Sequence, residues 1–562
     1  MKSLFSILLT ICSTFVFAQN TSYTISFENA GHHEATIEIA YTHLKDTSLV
    51  VQMSRTSPGR YAIHDFAKNV YHVKAYNSKG EPLHINRINP QAWEIQNHDG
   101  AVTVSYTLFA DRADGTYSQI DETHAHLNIP ATFMFAPSLS DKPMEITFMP
   151  RADLNWKIAT QLPLKEATTY RAPNLQYFMD SPTELSNHST RSFEVKGQEI
   201  EFVLHHDGSE KMLDTYFEKV KKIVLAEEAV YGELPTFDYG KYTFLACYLN
   251  HVSGDGMEHR NSTILTDKEG LSEGGMEGNI GTVSHEFFHA WNVERIRPAA
   301  LEPFDFEDAN MSGALWFAEG FTSYYTNLIL CRAGLITPEA YVSGLNGTFN
   351  YVWNSPARQF FNPIEMSFQA PFVDAASSID PVNRDNTFIS YYSYGSVLGL
   401  ALDLSLRQKG LDLDTYMKQV WATYGKTEIP YTIKDLNAVL NAYAGTDFGD
   451  GFFNTYIYKS EMPDYKTLFE TVGLTIEQDS KKKYIGASFN NNLVSRNTKI
   501  GTPAYQAGLE KGDEIISVNG IKPRGNQYNR KSYEWFKNWG FKDDILKKQE
   551  NKRDRGDVSG RP

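Results

Sequence analysis

The chain has 562 residues, is 41% hydrophobic and carries a formal net charge of -15. That length and apolar content allow about three domains with packed cores. The acidic balance excludes a general nucleic-acid binder, which would show a basic footprint.

The first residues, MKSLFSILLTICSTFVFAQN, read as an export signal: Lys2 supplies the positive start, Leu4–Phe17 the apolar stretch, and Val16-Phe17-Ala18 a cleavage site before Gln19. The apolar run is shorter than the roughly 20 residues a spanning helix needs. Ile11 stands before Cys12, where a lipoprotein signal requires a small residue. No later stretch could span a bilayer. The expectation is signal removal over residues 1–18, no transmembrane segment afterwards, and a periplasmic or extracellular destination in a Gram-negative bacterium. Cys247 and Cys331 then remain. Export permits a disulfide, but two separate buried thiols fit the sequence better.

Residues 19–205 read as an all-β, sandwich-like domain. SYTISFE, ATIEIAYTH, AVTVSYTLFA and MEITFMP alternate with period two, and turn residues such as NSKGEP and NHDG separate them. His124 and His126, in HAH, fall on one face of what reads as an ordinary strand. From 206 to 464 an α+β domain is expected, its second half mainly helical. MLDTYFEKVKKIVLAEEAVYG has helical spacing and stops at Gly232, and KYTFLACYLN is a strand. A Gly-rich stretch and a helix over 280–296 follow, the latter stopped by Pro298. SGALWFAEGFTSYYTNLILCRAG ends at Gly334, and Thr337-Pro338-Glu339 caps the next helix. A third unit is expected over 465–545, and the charge-rich residues 546–562 read as a disordered tail.

His285-Glu286-Phe287-Phe288-His289 fits the HExxH pattern. On a helix, residues i and i+4 share a face, so both imidazoles can address one ion. Glu286, one position along, suits a base acting on water beside that ion. A catalytic zinc needs a third protein ligand. Glu319, in LWFAEGFTSYY, is a carboxylate among Leu315, Trp316, Phe317 and Phe321 that would be costly to bury without a cation. A further histidine or aspartate is the rival, and His259 is the nearest histidine.

HEFFHAWNVERIRP followed by LWFAEGFTSYY resembles the glycyl aminopeptidase family of gluzincin zinc metallopeptidases, metallopeptidase family sixty-one. SPGRYAIHDFAKNV resembles a stretch common in its amino-terminal part, and IGTPAYQAGLEKGDEIISVNG resembles its carboxy-terminal PDZ domain. The resemblance implies a β domain, a thermolysin-like catalytic domain and a PDZ domain. It implies one catalytic zinc held by His285, His289 and Glu319, with Glu286 as base. It also implies peptide substrates with a free amino terminus and a small first residue, glycine or alanine.

An aminopeptidase must hold a free ammonium group, and a carboxylate does so by charge-assisted hydrogen bonds. GMEHRN offers Glu258 and GMEGN offers Glu277. Both echo the Gly-x-Met-Glu-Asn motif of larger gluzincin aminopeptidases. GMEHRN leads into STIL, a plausible edge strand able to pair with an extended peptide. GMEGN is a turn only eight residues before His285. Glu258 is therefore the expected anchor. SYYSYGSVLGLALDL resembles the helix start that carries a transition-state tyrosine three residues before a glycine, which places it at Tyr392, with Tyr391 as the alternative. Ile485, Gly486 and Ala487 would form the PDZ carboxylate loop for a peptide ligand. The residues after Asn519-Gly520 do not continue the PDZ pattern, which leaves that unit incomplete or altered. Two rival functions remain: an endopeptidase of the same fold, and a non-catalytic protein that binds peptides through the PDZ unit.

Overall fold

The computed structural model describes residues 20–374, 380–478 and 484–518. The export signal and the charged tail expected from the sequence lie outside the described residues. The chain falls into two compact units. One comprises Met1–Lys221, Thr236–Ala290 and Phe304–Ala309, and the other Lys222–Pro235, Trp291–Pro303 and Asn310–Pro562. This partition cuts elsewhere than position 205/206, because hydrogen bonds tie the later strands to the β region. His259 Nδ1 lies 2.8 Å from Asp180 Oδ1, and the Asn261 N–H donates to Gln161 Oε1 at 2.9 Å.

The first unit begins β-rich. Glu34–Thr42 and Val102–Phe109 alternate buried and more exposed residues, as the two-residue strand period requires when one face is covered. They pair in an eight-stranded sheet whose centre also holds Asn20–Ser26 and Met144–Met149, the latter two parallel. Tyr23 projects from that sheet onto Phe133 and Phe178, with ring centroids 5.4 and 4.7 Å away. A four-stranded sheet, ordered Lys157–Thr160, Thr183–Ser186, His124–Leu127, Gln119–Ile120, lies in the same unit.

A five-stranded mixed sheet completes the unit, ordered Ser189–Val195, Gln198–His206, Lys241–Tyr248, Ser262–Asp267, Asp255–His259. The last strand is the edge. The sequence expectation that Ser262–Leu265 forms the edge is corrected: those residues sit one strand in, with Asp255–His259 folded back on them so that Glu258 opposes Thr263. Thr263, Ile264 and Leu265, with Thr266 after them, suit that doubly paired position. The HEFFH helix spans Ile280–Phe288 with His289 as its C-cap, shorter than the expected 280–296. Val293 has φ 115°, outside the helical region, so the periodic apolar residues Trp291 and Ile296 continue the buried surface without continuing the helix.

The second unit is mainly helical. Thr337 caps Pro338–Trp353 by accepting the Ala340 N–H, with proline in the first turn as expected. The long apolar segment expected as one helix is two, Leu315–Ala318 and Gly320–Arg332, with Glu319 at the junction. The Asn292 side chain, in the same unit, donates to the Phe317 and Ala318 carbonyls at 3.2 and 3.0 Å and competes there with the helical ladder. Helix Tyr391–Gln408 runs through the centre and packs on Gly320–Arg332. Their close crossing explains two glycines. A Cβ on Gly320 would stand 2.3 Å from Gly395 Cα, and one on Gly395 would stand 1.8 Å from the Trp316 carbonyl oxygen. Cys247 and Cys331 are both free thiols; Cys331 is half-buried, against the expectation of full burial. Among the described residues no helix is long and apolar enough to cross a membrane.

Candidate active site

The first unit gathers four of the sequence-predicted residues. Helical spacing sets the His285 and His289 rings 4.8 Å apart, at 82° to each other. His289 is buried and His285 half-buried. Glu286, 5% exposed, lies against the edge strand: a Cβ on Gly256 would meet its Oε1 at 2.2 Å. Ligand-type atoms of Glu258, Glu286 and His289 all lie within 4.8 Å of one another. Glu258 is itself 6% exposed. The turn at Gly59, in the SPGR stretch, closes over it, with the Glu258 Oε2 atom 3.1 Å from where a Gly59 Cβ would stand. Arg60 pairs with Asp255 at the start of the same strand, and the Gly115 N–H donates to Asp255 at 2.9 Å. A nitrogen pair and two buried carboxylates in one place form a donor set suited to a borderline divalent ion and a cationic substrate group.

Gly256 was not singled out by sequence reasoning, although it stands in GDGMEH directly before Met257-Glu258. Any side chain there displaces the Glu286 carboxylate. Gly256→Ala is expected to lower kcat by about tenfold or more, since a catalytic group displaced by an ångström loses its near-attack geometry. Thermal unfolding checks that the fold survives; an unchanged kcat would show that Glu286 does not act from this position.

Glu277 is not part of this group. It stands in the short helical segment Met276–Gly278 before the HEFFH helix, its side chain 77% exposed, and pairs with Lys219 Nζ at 2.9 Å. The turn expected at GMEGN is corrected: Met276–Gly278 form a short helical segment with Gly275 and Asn279 buried, and the preceding Gly274 has φ 112°, which favours glycine. His259, bound to Asp180, is a strand residue held in place by that contact.

The second unit holds the remainder. Glu319 is 2% exposed among Trp316, Phe317 and Phe321. The Gly320–Gly395 crossing brings the start of the tyrosine helix to it: the Tyr391 carbonyl oxygen is 3.0 Å from where a Gly320 Cβ would stand. Tyr391 is 1% exposed and belongs to the core, whereas Tyr392 is half-buried; their rings stack 4.9 Å apart. Asp374 accepts from Ser390 Oγ at 2.8 Å, one residue before Tyr391. Burial pushes its carboxyl above the ordinary range and the Glu319 charge adds to that, while Ser390 and Arg384 oppose it. No motif marked Asp374, which lies in a segment without periodicity.

At the end of the described chain, a hairpin of Phe489–Asn490 and Leu493–Val494 and a short helix, Pro503–Gln506, enclose a small core of Val494, Ala504 and Leu509. Of GDEIISVNG, the described residues pair with the hairpin only through an isolated bridge from Glu514 to Leu493. Gly486 and Ala487 of the predicted carboxylate loop line a pocket of about 620 Å³ together with Arg384, Arg496, Lys499 and Lys511, and Ile485 already uses its carbonyl on the Ala504 N–H. A PDZ fold is not established.

Residues 22–187 match the family model described as the peptidase M61 N-terminal domain, and residues 278–398 match M61 glycyl aminopeptidase. The second span contains His285, Glu286, His289, Glu319 and Tyr392; Glu258 lies between the two. Among solved structures, an aminopeptidase N family protein from Idiomarina loihiensis is 25% identical with TM-score 0.80, and 92% of each chain is covered. An M1 zinc metallopeptidase from Deinococcus radiodurans is 10% identical over 79% of this chain and 94% of its own, with TM-score 0.46. Legionella pneumophila aminopeptidase A, solved with aspartic acid, is 12% identical over 78% of this chain and 49% of its own, with TM-score 0.47. No curated protein matches the chain.

Proposed function

We infer that this chain, which carries an M61 peptidase N-terminal domain and an M61 glycyl aminopeptidase domain, is an exported zinc aminopeptidase that releases small N-terminal residues from peptides. The juxtaposition of Glu258, Glu286 and His289 within 4.8 Å carries this inference. It puts a candidate ammonium anchor, a candidate base and a metal-ligating imidazole in one buried place. His285, His289 and Glu319 would hold the zinc. Glu319 is a carboxylate 2% exposed in an apolar, aromatic stretch, costly to bury without a cation, which supports it as the third ligand. Zinc in that position supplies Lewis acidity for a carbonyl and lowers the pKa of water.

The chain's own residues do the rest. Glu286 takes a proton from the attacking water and delivers it to the leaving amine. Tyr392 donates a hydrogen bond to the oxygen on which charge develops. Its exposure favours it over Tyr391, whose ring is committed to packing. Glu258 pairs with the substrate ammonium, and its place on an edge strand lets an extended peptide align by backbone hydrogen bonds. The acidic burial of two carboxylates also disfavours a peptide segment lacking that cation.

Purified protein is expected to release the chromophore from glycyl and alanyl anilides, to lose that activity to a chelator, and to regain it with zinc. N-acetylation of the substrate is expected to abolish turnover. Equal cleavage of acetylated and free peptides would replace this proposal with an endopeptidase; no turnover of either, with zinc bound, would leave a non-catalytic scaffold.

A further inference from the structure

The strand carrying His124 and His126 is buried on both faces, unlike an ordinary half-covered strand. On one sheet His126 opposes Glu184, and on the neighbouring five-stranded sheet His205 opposes Cys247. All belong to the first unit, and together with His124 they meet in one cluster. Cys247 Sγ lies 3.7 Å from His124 Nδ1 and 3.7 Å from His205 Nδ1. Glu184 Oε1 lies 3.3 Å from the former nitrogen and 3.6 Å from the latter. Ligand atoms of His124, His205 and Cys247 are mutually within 4.8 Å. Around a tetrahedral zinc ion, N, O and S ligands stand about 3.3–3.6 Å apart, given bond lengths of about 2.0–2.3 Å. The observed separations are those of a ligand shell drawn slightly open.

We propose that His124, His205 and Cys247, with Glu184 as the nearest fourth donor, form a structural site for a zinc-like divalent ion that joins the two sheets, separate from the peptidase site.

The surroundings are those of a ligand set. His124 and Cys247 are at most 1% exposed, Glu184 is 1% exposed, and the His205 side chain is 12% exposed. The far nitrogen of His124 faces Asp121 Oδ2 at 3.7 Å, the arrangement in which a carboxylate orients a metal-bound imidazole. The second Glu184 oxygen is 3.1 Å from His126 Nδ1, and His126 Nε2 is 3.0 Å from the Asp114 carbonyl, which fixes the carboxylate. Asp121 also faces the 37%-exposed His251 at 3.5 Å, so one side of the cluster reaches solvent and an ion has a way in. Two imidazoles, a thiolate and a carboxylate are a donor set that selects zinc over the hard cations.

Sulfur distinguishes this site from the other. The peptidase site has no cysteine, so a sulfur-to-metal charge-transfer band in cobalt-substituted protein reports only the cluster. Full-length protein stripped and reloaded with Co²⁺ is expected to show that band and to bind a second equivalent of metal. The band should persist in Cys331→Ser and His289→Ala, and vanish in Cys247→Ser with an unchanged circular dichroism spectrum. If Cys247→Ser does not fold, His205→Gln decides by shifting or weakening the band. Cobalt bound without a sulfur band in the wild type, or a band that survives Cys247→Ser, overturns the proposal. Neither readout depends on peptidase activity, so failure here and failure of the aminopeptidase assignment are told apart.

Discussion

Glu286→Gln is expected to lower kcat on a glycyl anilide by about 10³-fold while zinc content and thermal stability stay near wild type. The substitution keeps the shape of the side chain, so the contact with Gly256 remains and no cavity opens. What disappears is a basic oxygen. General acid–base catalysis contributes about 10²–10⁴-fold, and here a single carboxylate is assigned both the removal of the water proton and its delivery to the leaving amine. Because the metal ligands are untouched, elemental analysis separates loss of the base from loss of the ion. KM should change little, since Glu286 has no assigned part in holding the substrate. A variant that retains full turnover would remove Glu286 from the mechanism and leave the other buried carboxylate, Glu258, as the group to test for proton transfer.

The second large effect concerns what distinguishes a chain end from a chain middle. Glu258→Gln should reduce kcat/KM for a free-amine substrate by about 10- to 150-fold, the range of a hydrogen bond to a charged partner. The loss should fall mainly on substrates with an ammonium group; an N-acetylated analogue, hydrolysed slowly or not at all by the wild type, should not be further impaired. Glu277→Gln provides the matched control. It alters the same local motif at a carboxylate that is 77% exposed and paired with Lys219, and near-wild-type kinetics are expected. Should the two variants behave alike, or should Glu277→Gln be the impaired one, the assignment of the anchor is wrong.

These two carboxylates show how far sequence reading reached. HEFFH placed both imidazoles together because helical periodicity fixes which side chains share a face, and the outcome is visible in the 4.8 Å ring separation. GMEHRN and GMEGN are nearly the same string; the STIL run after the first favoured Glu258, and their environments differ: one is paired in the edge strand of a sheet and covered by the Gly59 turn, the other carries its carboxylate exposed on a short helical turn. The same limit appears at the helix ends. Apolar spacing predicted a helix to 296, yet the chain leaves it at His289 because tertiary hydrogen bonds from Asn292 and the backbone turn at Val293 override local propensity.

His124 and His126 illustrate the reverse case. Their alternation was read correctly as a strand, and nothing within that strand marks it as unusual. The partners that change its meaning, Glu184, His205 and Cys247, come from three other strands, between 58 and 123 residues away along the chain. Sequence by itself determined what is local and periodic: the β-rich beginning, the helical second half, the HExxH helix and the cap at Thr337. Tertiary structure alone decided why Gly320 and Gly395 admit no side chain, why one at Gly256 would displace Glu286, and that two sheets meet at a histidine–cysteine cluster. The physical reason is that local pattern depends on backbone geometry within a turn or two, whereas burial and juxtaposition depend on strands and helices that sequence separation does not order.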